Sequence, residues 1–171
     1  MKEEFVKEIN QAERYLSQFN SKEALKHYTK ASQIDPDAAD SYFGIAEASR
    51  GIPKIKPEVI IENYMKAIEM DKSNPLYYTS LGNFYLEINR FDDAEKSYNM
   101  AAKIDEKNSF LYLSDFAVEV YVNLMRNIDD ESPQSELDNA RRKGLIAFIK
   151  SMGISIDEAM KLLGEHKTDT Q

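Results

Sequence analysis

The sequence predicts an all-α fold, a solenoid in which antiparallel helix pairs are repeated along the chain. One pattern occurs three times with identical spacing: an apolar residue, a tyrosine four residues later, an alanine three further on, and an aspartate four beyond it. Separations of three and four residues place side chains on one face of a helix. The copies are Ala24, Tyr28, Ala31, Ile34 and Asp35; Ile60, Tyr64, Ala67, Met70 and Asp71; and Ala94, Tyr98, Ala101, Ile104 and Asp105.

A second helix-like stretch precedes each copy, and each of these stretches carries one small residue at the same place. These residues are Ala12, Ala46 and Gly82. A small side chain lets two helix backbones approach closely, as a repeated helix pair requires. The three copies are spaced 36 and then 34 residues apart, with the surplus in residues 51–57.

The repeated pattern resembles the tetratricopeptide repeat, a helix–turn–helix unit of 34 residues. Nearly the whole signature of that family stands in the third copy, at Tyr78, Leu81, Gly82, Tyr85, Phe91, Ala94, Tyr98 and Ala101. Asp35-Pro36 also matches the proline-bearing end of the family's second helix. The resemblance covers residues 5–108 and implies a right-handed α-solenoid with a C-terminal capping helix.

We expect a single domain over residues 1–164. Its parts are repeats at about 5–38, 39–74 and 75–108, a degenerate fourth repeat at 109–153, a capping helix at 155–163, and a disordered tail at 165–171. The apolar helix at 110–128 begins the fourth repeat, with Ala117 at the small-residue position. The last helix is expected to cap the solenoid, although it could instead dock into a groove of its own or a neighbouring molecule.

In the first repeat, Glu8 and Gln11 stand where the family usually has large apolar residues. We interpret them as an N-terminal cap, because no earlier repeat covers this face. The alternative is a polar binding site.

The charge and composition exclude several classes of function. The formal charge is −8, from 30 acidic and 22 basic residues, so nucleic acid is not an expected partner. There is no cysteine, which excludes disulfides and thiolate metal sites. The first residues lack the apolar run of a signal peptide, and no stretch approaches the length of a membrane helix. We therefore expect a cytoplasmic protein without membrane contacts.

No catalytic residue, metal site or cofactor is expected. His27 and His166 have no second ligand at metal-binding spacing. Carboxylates such as Asp92 and Asp93 stand at a helix start, where the helix dipole favours them. The basic run at 141–143 lies in the most acidic segment and is expected to pair with its neighbours. The chain is therefore not expected to be an enzyme.

In the family, the first helices of successive repeats line a concave surface that holds peptides or helices. The resemblance implies groove positions at Val6, Ile9, Glu13, Leu16, Asp40, Phe43, Glu47, Arg50, Leu76, Thr79, Asn83 and Leu86. The fourth repeat would add Ser114, Val118 and Tyr121. Apolar residues with scattered acids suit an apolar or amphipathic segment with a few basic residues. The alternative is that some of these apolar residues belong to the core.

One subfamily clamps the acidic C-terminal tails of heat-shock chaperones with lysine, asparagine and arginine side chains. The matching positions here are Ile9, Glu13, Gly44, Leu76 and Ser80. All five clamp residues are missing, so we expect that such acidic tails do not bind.

The expected function is a protein-interaction adaptor or scaffold. Two alternatives remain open: an assembly or secretion chaperone for a dedicated protein, and a self-associating subunit, that is, a homo-oligomer.

Overall fold

The computed structural model describes residues 2–126 together with residues 144, 146 and 149. Residues 2–126 form seven α-helices and one 3-10 turn, and this range contains no strand. The helices are α1 Lys2–Ser17, α2 Ser21–Ile34, α3 Ala39–Arg50, α4 Pro57–Met70, α5 Pro75–Glu87, α6 Phe91–Ile104 and α7 Ser109–Arg126, and the 3-10 turn is Glu106–Asn108. The prediction of an all-α fold is confirmed for this range.

Several expectations fall outside the described residues. They are most of the second helix of the fourth repeat, the basic run at 141–143, the capping helix at 155–163 and the tail at 165–171. At the other end of the chain, α1 begins at Lys2 rather than near Phe5.

The chain divides into two bodies, Met1–Tyr78 and Thr79–Gln171, which are called the N-terminal and the C-terminal body below. The division falls within α5. In the N-terminal body α1 packs on α2, α2 on α3, and α3 on α4. In the C-terminal body α6 packs on α7. In these pairs each helix packs on the next along the chain, as repeated helix pairs require.

The recurring aspartate marks the end of each second helix. In all three repeats its backbone N–H donates to the carbonyl of the recurring alanine four residues earlier. These bonds are Asp35 to Ala31 at 2.9 Å, Asp71 to Ala67 at 3.0 Å and Asp105 to Ala101 at 3.0 Å. The side chain of Asp71 then accepts bonds from the hydroxyl and N–H of Ser73, which lower the pKa of Asp71. The repeated spacing from alanine to aspartate thus encodes a helix end.

Small residues and tyrosines build the core. Ala12, Ala46 and Gly82 are buried, as the close-approach argument predicted. A Cβ added at Gly82 would lie 2.7 Å from Cδ2 of Tyr98, and one at Gly44 would lie 2.2 Å from Cε1 of Tyr28. The tyrosine rings therefore occupy the space that a larger residue on the facing helix would need.

The turns that end α1 and α5 have the same backbone form. Phe19 and Asn89 both have positive φ angles, of 57° and 60°. Their N–H groups donate to the carbonyls of Leu16 and Leu86 at 2.9 Å and 3.0 Å. Asparagine adopts this left-handed conformation readily, whereas phenylalanine does so at an energetic cost. Phe19 is also 95% exposed, so its ring gains almost no burial in return.

The helix α7 has the packing face that its sequence predicts. Ala117, Phe116 and Val120 are buried, and Leu113 is half-buried. The ring of Phe116 packs against that of Tyr98 with 5.3 Å between centroids. Tyr98 therefore contacts both Gly82 on α5 and Phe116 on α7.

Gly82→Ala should lower the free energy of unfolding, because the new Cβ would overlap the buried ring of Tyr98. Overpacking of this kind costs about 1–3 kcal/mol, and the better helix propensity of alanine offsets up to about 1 kcal/mol of it. We expect the free energy of unfolding, measured by urea unfolding, to fall by about 1–2 kcal/mol.

Asn99→Ala, on the exposed face of α6, is the control and should change the free energy by less than about 0.5 kcal/mol. A Gly82→Ala variant as stable as the parent chain would contradict the close-approach argument.

Candidate interaction surface

The expected groove residues Glu47 and Arg50 form a bonded cluster with the tyrosine of their own repeat. The Tyr64 hydroxyl donates to Oε1 of Glu47 at 2.5 Å. Nη1 of Arg50 lies 3.3 Å from both the Glu47 carboxylate and the Tyr64 hydroxyl oxygen. Tyr64 is completely buried, and burial together with the Glu47 charge raises its pKa. Glu47 and Arg50 therefore neutralise each other and hold a core tyrosine in place.

The third repeat has a neutral version of this contact. The Tyr98 hydroxyl donates to Oδ1 of Asn83, which occupies the position of Glu47 in its own repeat. In the first repeat the equivalent pair is Tyr28 and Glu13. Burial first, and then the nearby negative charges with Glu13 foremost, raise the pKa of Tyr28 to about 12. The expected polar groove residues thus lie next to the hydroxyl groups of the recurring tyrosines.

Asp40 and Phe43 on α3 contact Tyr77, which the sequence analysis did not select. The Tyr77 hydroxyl donates to Oδ1 of Asp40 at 2.7 Å. The Phe43 ring centroid lies 5.0 Å from that of Tyr77 and 6.1 Å from that of Tyr64. The sequence gives little warning of this role, because Tyr77 differs from its neighbour Tyr78 only in the helix face on which it lies.

The expected apolar groove residues fall into two groups. Ile9 and Leu16 pack against the buried cluster around Tyr28, and Leu86 is only 3% exposed. The structure therefore places Leu86 in the core, which was the alternative left open. By contrast, Val6 and Leu76 are 46% and 52% exposed and remain accessible to a ligand.

The remaining candidates lie at the surface or in a pocket. Glu13 is exposed on α1, and Thr79 and Asn83 are half-buried on α5. In the C-terminal body these two residues line an open pocket of about 390 Å³. The complete lining is Thr79, Asn83, Tyr98, Tyr112, Asp115, Val118 and Glu119.

This pocket, called the α5–α7 pocket below, is acidic. Its lining includes Asp115 and Glu119, both exposed, and no lysine, arginine or histidine. The Tyr112 hydroxyl donates to Asp105 at 2.9 Å, and burial, Asp105 and Asp115 together raise the pKa of Tyr112. The sequence analysis selected Val118 but not the two carboxylates. Their spacing of four residues, which puts both on one helix face next to Val118, was the available signal.

Glu8, which was interpreted from its sequence position as part of an N-terminal cap, has a partner on the next helix. Its Oε2 lies 2.6 Å from Nδ1 of His27 on α2, and both side chains are 14% exposed. The His27 ring stacks on Tyr15 with 5.3 Å between centroids. The departure of Glu8 from the family pattern is therefore matched by a partner within its own repeat.

Within residues 2–126, no three His, Asp or Glu side chains come together in a way that could hold a metal ion. No helix in the described part of the chain is both long enough and apolar enough to pass through a membrane.

Residues 63–96, from within α4 to within α6, match the sequence model of the tetratricopeptide repeat family. This stretch of the chain is similar to one tetratricopeptide repeat. The match includes Tyr64 and the close-approach residue Gly82, whose contacts are described above.

Two characterised proteins are similar to parts of the chain. The type IV pilus assembly protein PilF of Pseudomonas aeruginosa is 30% identical over 80 residues, which is 47% of this chain and 31% of PilF. The STIP1 homologue of Dictyostelium discoideum is 33% identical over 94 residues, which is 51% of this chain and 16% of that protein. The aligned regions thus span about a third and about a sixth of these relatives.

Solved structures of similar fold include MamA, with a TM-score of 0.64 at 15% identity over 87% of this chain and 77% of MamA. The first tetratricopeptide domain of Spaghetti (RPAP3), bound to the HSP90 peptide SRMEEVD, has a TM-score of 0.61 at 20% identity. That match covers 68% of this chain and 93% of the domain. These likenesses show the fold, which is the predicted all-α solenoid.

The buried tyrosines should make the protein sensitive to alkali. The pKa of an unfolded tyrosine is near 10, whereas burial in the folded chain raises the pKa of Tyr28 to about 12. Because the unfolded state then binds fewer protons, the free energy of unfolding should fall above pH 10 by about 1.4 kcal/mol per pH unit for each such tyrosine. Below about pH 9 these tyrosines should not change the free energy of unfolding, because they are protonated in both states.

Urea unfolding at a series of pH values between 8 and about 11.5 measures this decline. Tyr28→Phe and Tyr64→Phe should each make it shallower. If both variants decline as steeply as the parent chain, the assignment of raised pKa values is wrong.

Proposed function

We propose that this chain is a non-catalytic adaptor that binds a protein or peptide segment on the first helices of its repeats. The observation that carries the proposal is the exposure of large apolar side chains beside polar groups on these helices. Val6 and Leu76 are each about half exposed in the N-terminal body, and Val118 is 56% exposed in the C-terminal body. A mixed apolar and polar surface is typical of sites for amphipathic segments.

The proposed partner segment is apolar or amphipathic and carries some basic residues. Glu13, Asp115 and Glu119 are exposed acids on first helices, and they would attract such residues. The cysteine-free sequence is compatible with a reducing compartment, so we include a cytoplasmic location in the proposal.

Acidic chaperone tails are not the proposed partner, although the RPAP3 domain holds one. Of the five positions matched to the clamp, Ile9 and Glu13 lie on α1 and Gly44 lies on α3. Gly44 is buried under the Tyr28 ring, and Ile9 packs against the core. Glu13 would repel a carboxylate instead of binding it.

In calorimetric titration with the peptide SRMEEVD, the full chain should show no binding at micromolar concentrations, because the peptide carries three acidic residues and one arginine. Synthetic amphipathic peptides with leucine and arginine residues should bind in the same assay. Val6→Ala and Leu76→Ala, which remove exposed apolar side chains, should weaken that binding. Low-micromolar affinity for SRMEEVD would contradict the proposed partner chemistry, and failure of all amphipathic peptides would contradict the adaptor function.

An assembly chaperone for a dedicated protein is a second candidate. The similarity to the pilus assembly protein PilF favours it, although the aligned region is only 31% of PilF. Such a chaperone would use the same surface, and would differ from an adaptor in having one partner.

Self-association is a third candidate, and the exposed apolar side chains on α4 favour it. Val59, Met65 and Met70 are 44%, 50% and 40% exposed on this helix. Methionine side chains adapt to many partner surfaces, including a second copy of the same chain. If copies associate there, light scattering should give a mass above 19.7 kDa that rises with concentration, and Met65→Glu should restore the monomer. Asn99→Ala on α6 is the matched control, and a monomer at every concentration would exclude this candidate.

A further inference from the structure

The acids of the α5–α7 pocket differ from Asp40 and Glu47 in having no hydrogen-bond or ion-pair partner among the described residues. In the N-terminal body, Asp40 accepts a hydrogen bond from Tyr77, and Glu47 is paired with Arg50 and Tyr64. In contrast, neither Asp115 nor Glu119 forms a hydrogen bond or ion pair with any residue in the described range. These two carboxylates therefore retain their full capacity to bind a cation.

A row of exposed apolar residues runs along the same face of α7. Leu111 and Val118 are each 56% exposed, and Asp115 lies between them at helical spacing. The face therefore offers a carboxylate flanked by apolar contacts at both ends. An exposed row of this kind marks a contact surface when it is combined with a concavity.

We propose that the α5–α7 pocket binds the side chain of an arginine or lysine from the bound segment, while apolar residues on either side of it contact Leu111 and Val118. This inference rests on the adaptor function proposed above and names the residue that the segment must carry. Charge complementarity supports this occupant, because the pocket lining includes two carboxylates and no basic residue.

The chemistry of the pocket favours arginine over lysine. A guanidinium group has five N–H donors in one plane and can bond two carboxylates at once. Tyr112 and the hydroxyl of Thr79 add polar oxygen atoms to the lining. A volume of about 390 Å³ is ample for one long basic side chain with its hydration water. An acidic or purely apolar segment would leave both carboxylates without a partner.

The test begins with selection of peptides from a random library on the immobilised full chain. The selected sequences should contain arginine or lysine flanked by leucine, isoleucine or phenylalanine. Their affinity should fall about tenfold for the double variant Asp115→Asn/Glu119→Gln, because charge-assisted hydrogen bonds are lost. The affinity for the parent chain should also fall as salt is added.

Asp92→Asn/Glu106→Gln is the matched control, because it removes the same charge from two exposed positions outside the pocket. This control should bind the selected peptide as tightly as the parent chain. Circular dichroism should show the same helix content for both double variants, since the four substituted side chains are exposed.

A double-mutant cycle assigns the contact to the pocket. Replacing the basic peptide residue by glutamine should lower the affinity of the peptide for the parent chain about tenfold. The same replacement should lower its affinity for Asp115→Asn/Glu119→Gln by less than about twofold. Replacing the peptide's arginine by lysine should lower its affinity for the parent chain less than replacing the arginine by glutamine.

The two proposals fail in different ways. Selected peptides that lack basic residues, or that bind Asp115→Asn/Glu119→Gln as tightly as the parent chain, would overturn the pocket inference and leave the adaptor function in place. If neither the selected sequences nor the leucine–arginine peptides bind above background, both proposals are overturned.

Discussion

The structure depends on the close approach of each tyrosine ring to a position without a large side chain. Tyr28 lies over Gly44 and Tyr98 lies over Gly82, each at a distance that leaves no room for a Cβ. The buried alanines on the facing helices extend this contact. The hydroxyl of Tyr98 donates to Asn83 on the facing helix, and in the second repeat the hydroxyl of Tyr64 donates to Glu47. These two tyrosines thus link the core to polar residues of the candidate surface.

Most of the fold could be predicted from the sequence because its determinants recur. A residue such as Tyr64 appears three times at fixed spacing, so its burial and its helix follow from pattern alone. The candidate surface was less predictable. Leu86 and Leu76 have the same side chain on the same helix, yet one is buried and the other is half exposed. Which of them is buried depends on the elements that pack around α5, and the periodicity of α5 alone does not contain that information.

The acidic residues show more clearly which properties of the candidate surface the sequence does not predict. Glu47 and Glu119 are both glutamates on first helices, and the sequence separates them only through Arg50, which follows Glu47 by three residues. Arg50 lies one turn away from Glu47 and neutralises it, and the Tyr64 hydroxyl donates to it. Glu119, by contrast, lines a pocket whose lining includes no basic residue. The formal charge of −8 is therefore a poor guide to the charge that a ligand would meet. Two solenoids of the same fold can thus present different chemistry, and fold similarity to the RPAP3 domain leaves the ligand open.

The hydrogen bonds between tyrosines and surface residues also affect how costly binding is. Asn83 and Glu47 are each held by a tyrosine hydroxyl, so their rotamers are fixed before any ligand arrives. A free side chain loses about 0.5–1.5 kcal/mol of rotational entropy when an interface immobilises it. Asn83 and Glu47 have already lost much of this rotational freedom on folding. A segment that binds along this surface therefore meets preorganised polar groups, which favours a rigid docking geometry over one that adjusts after contact.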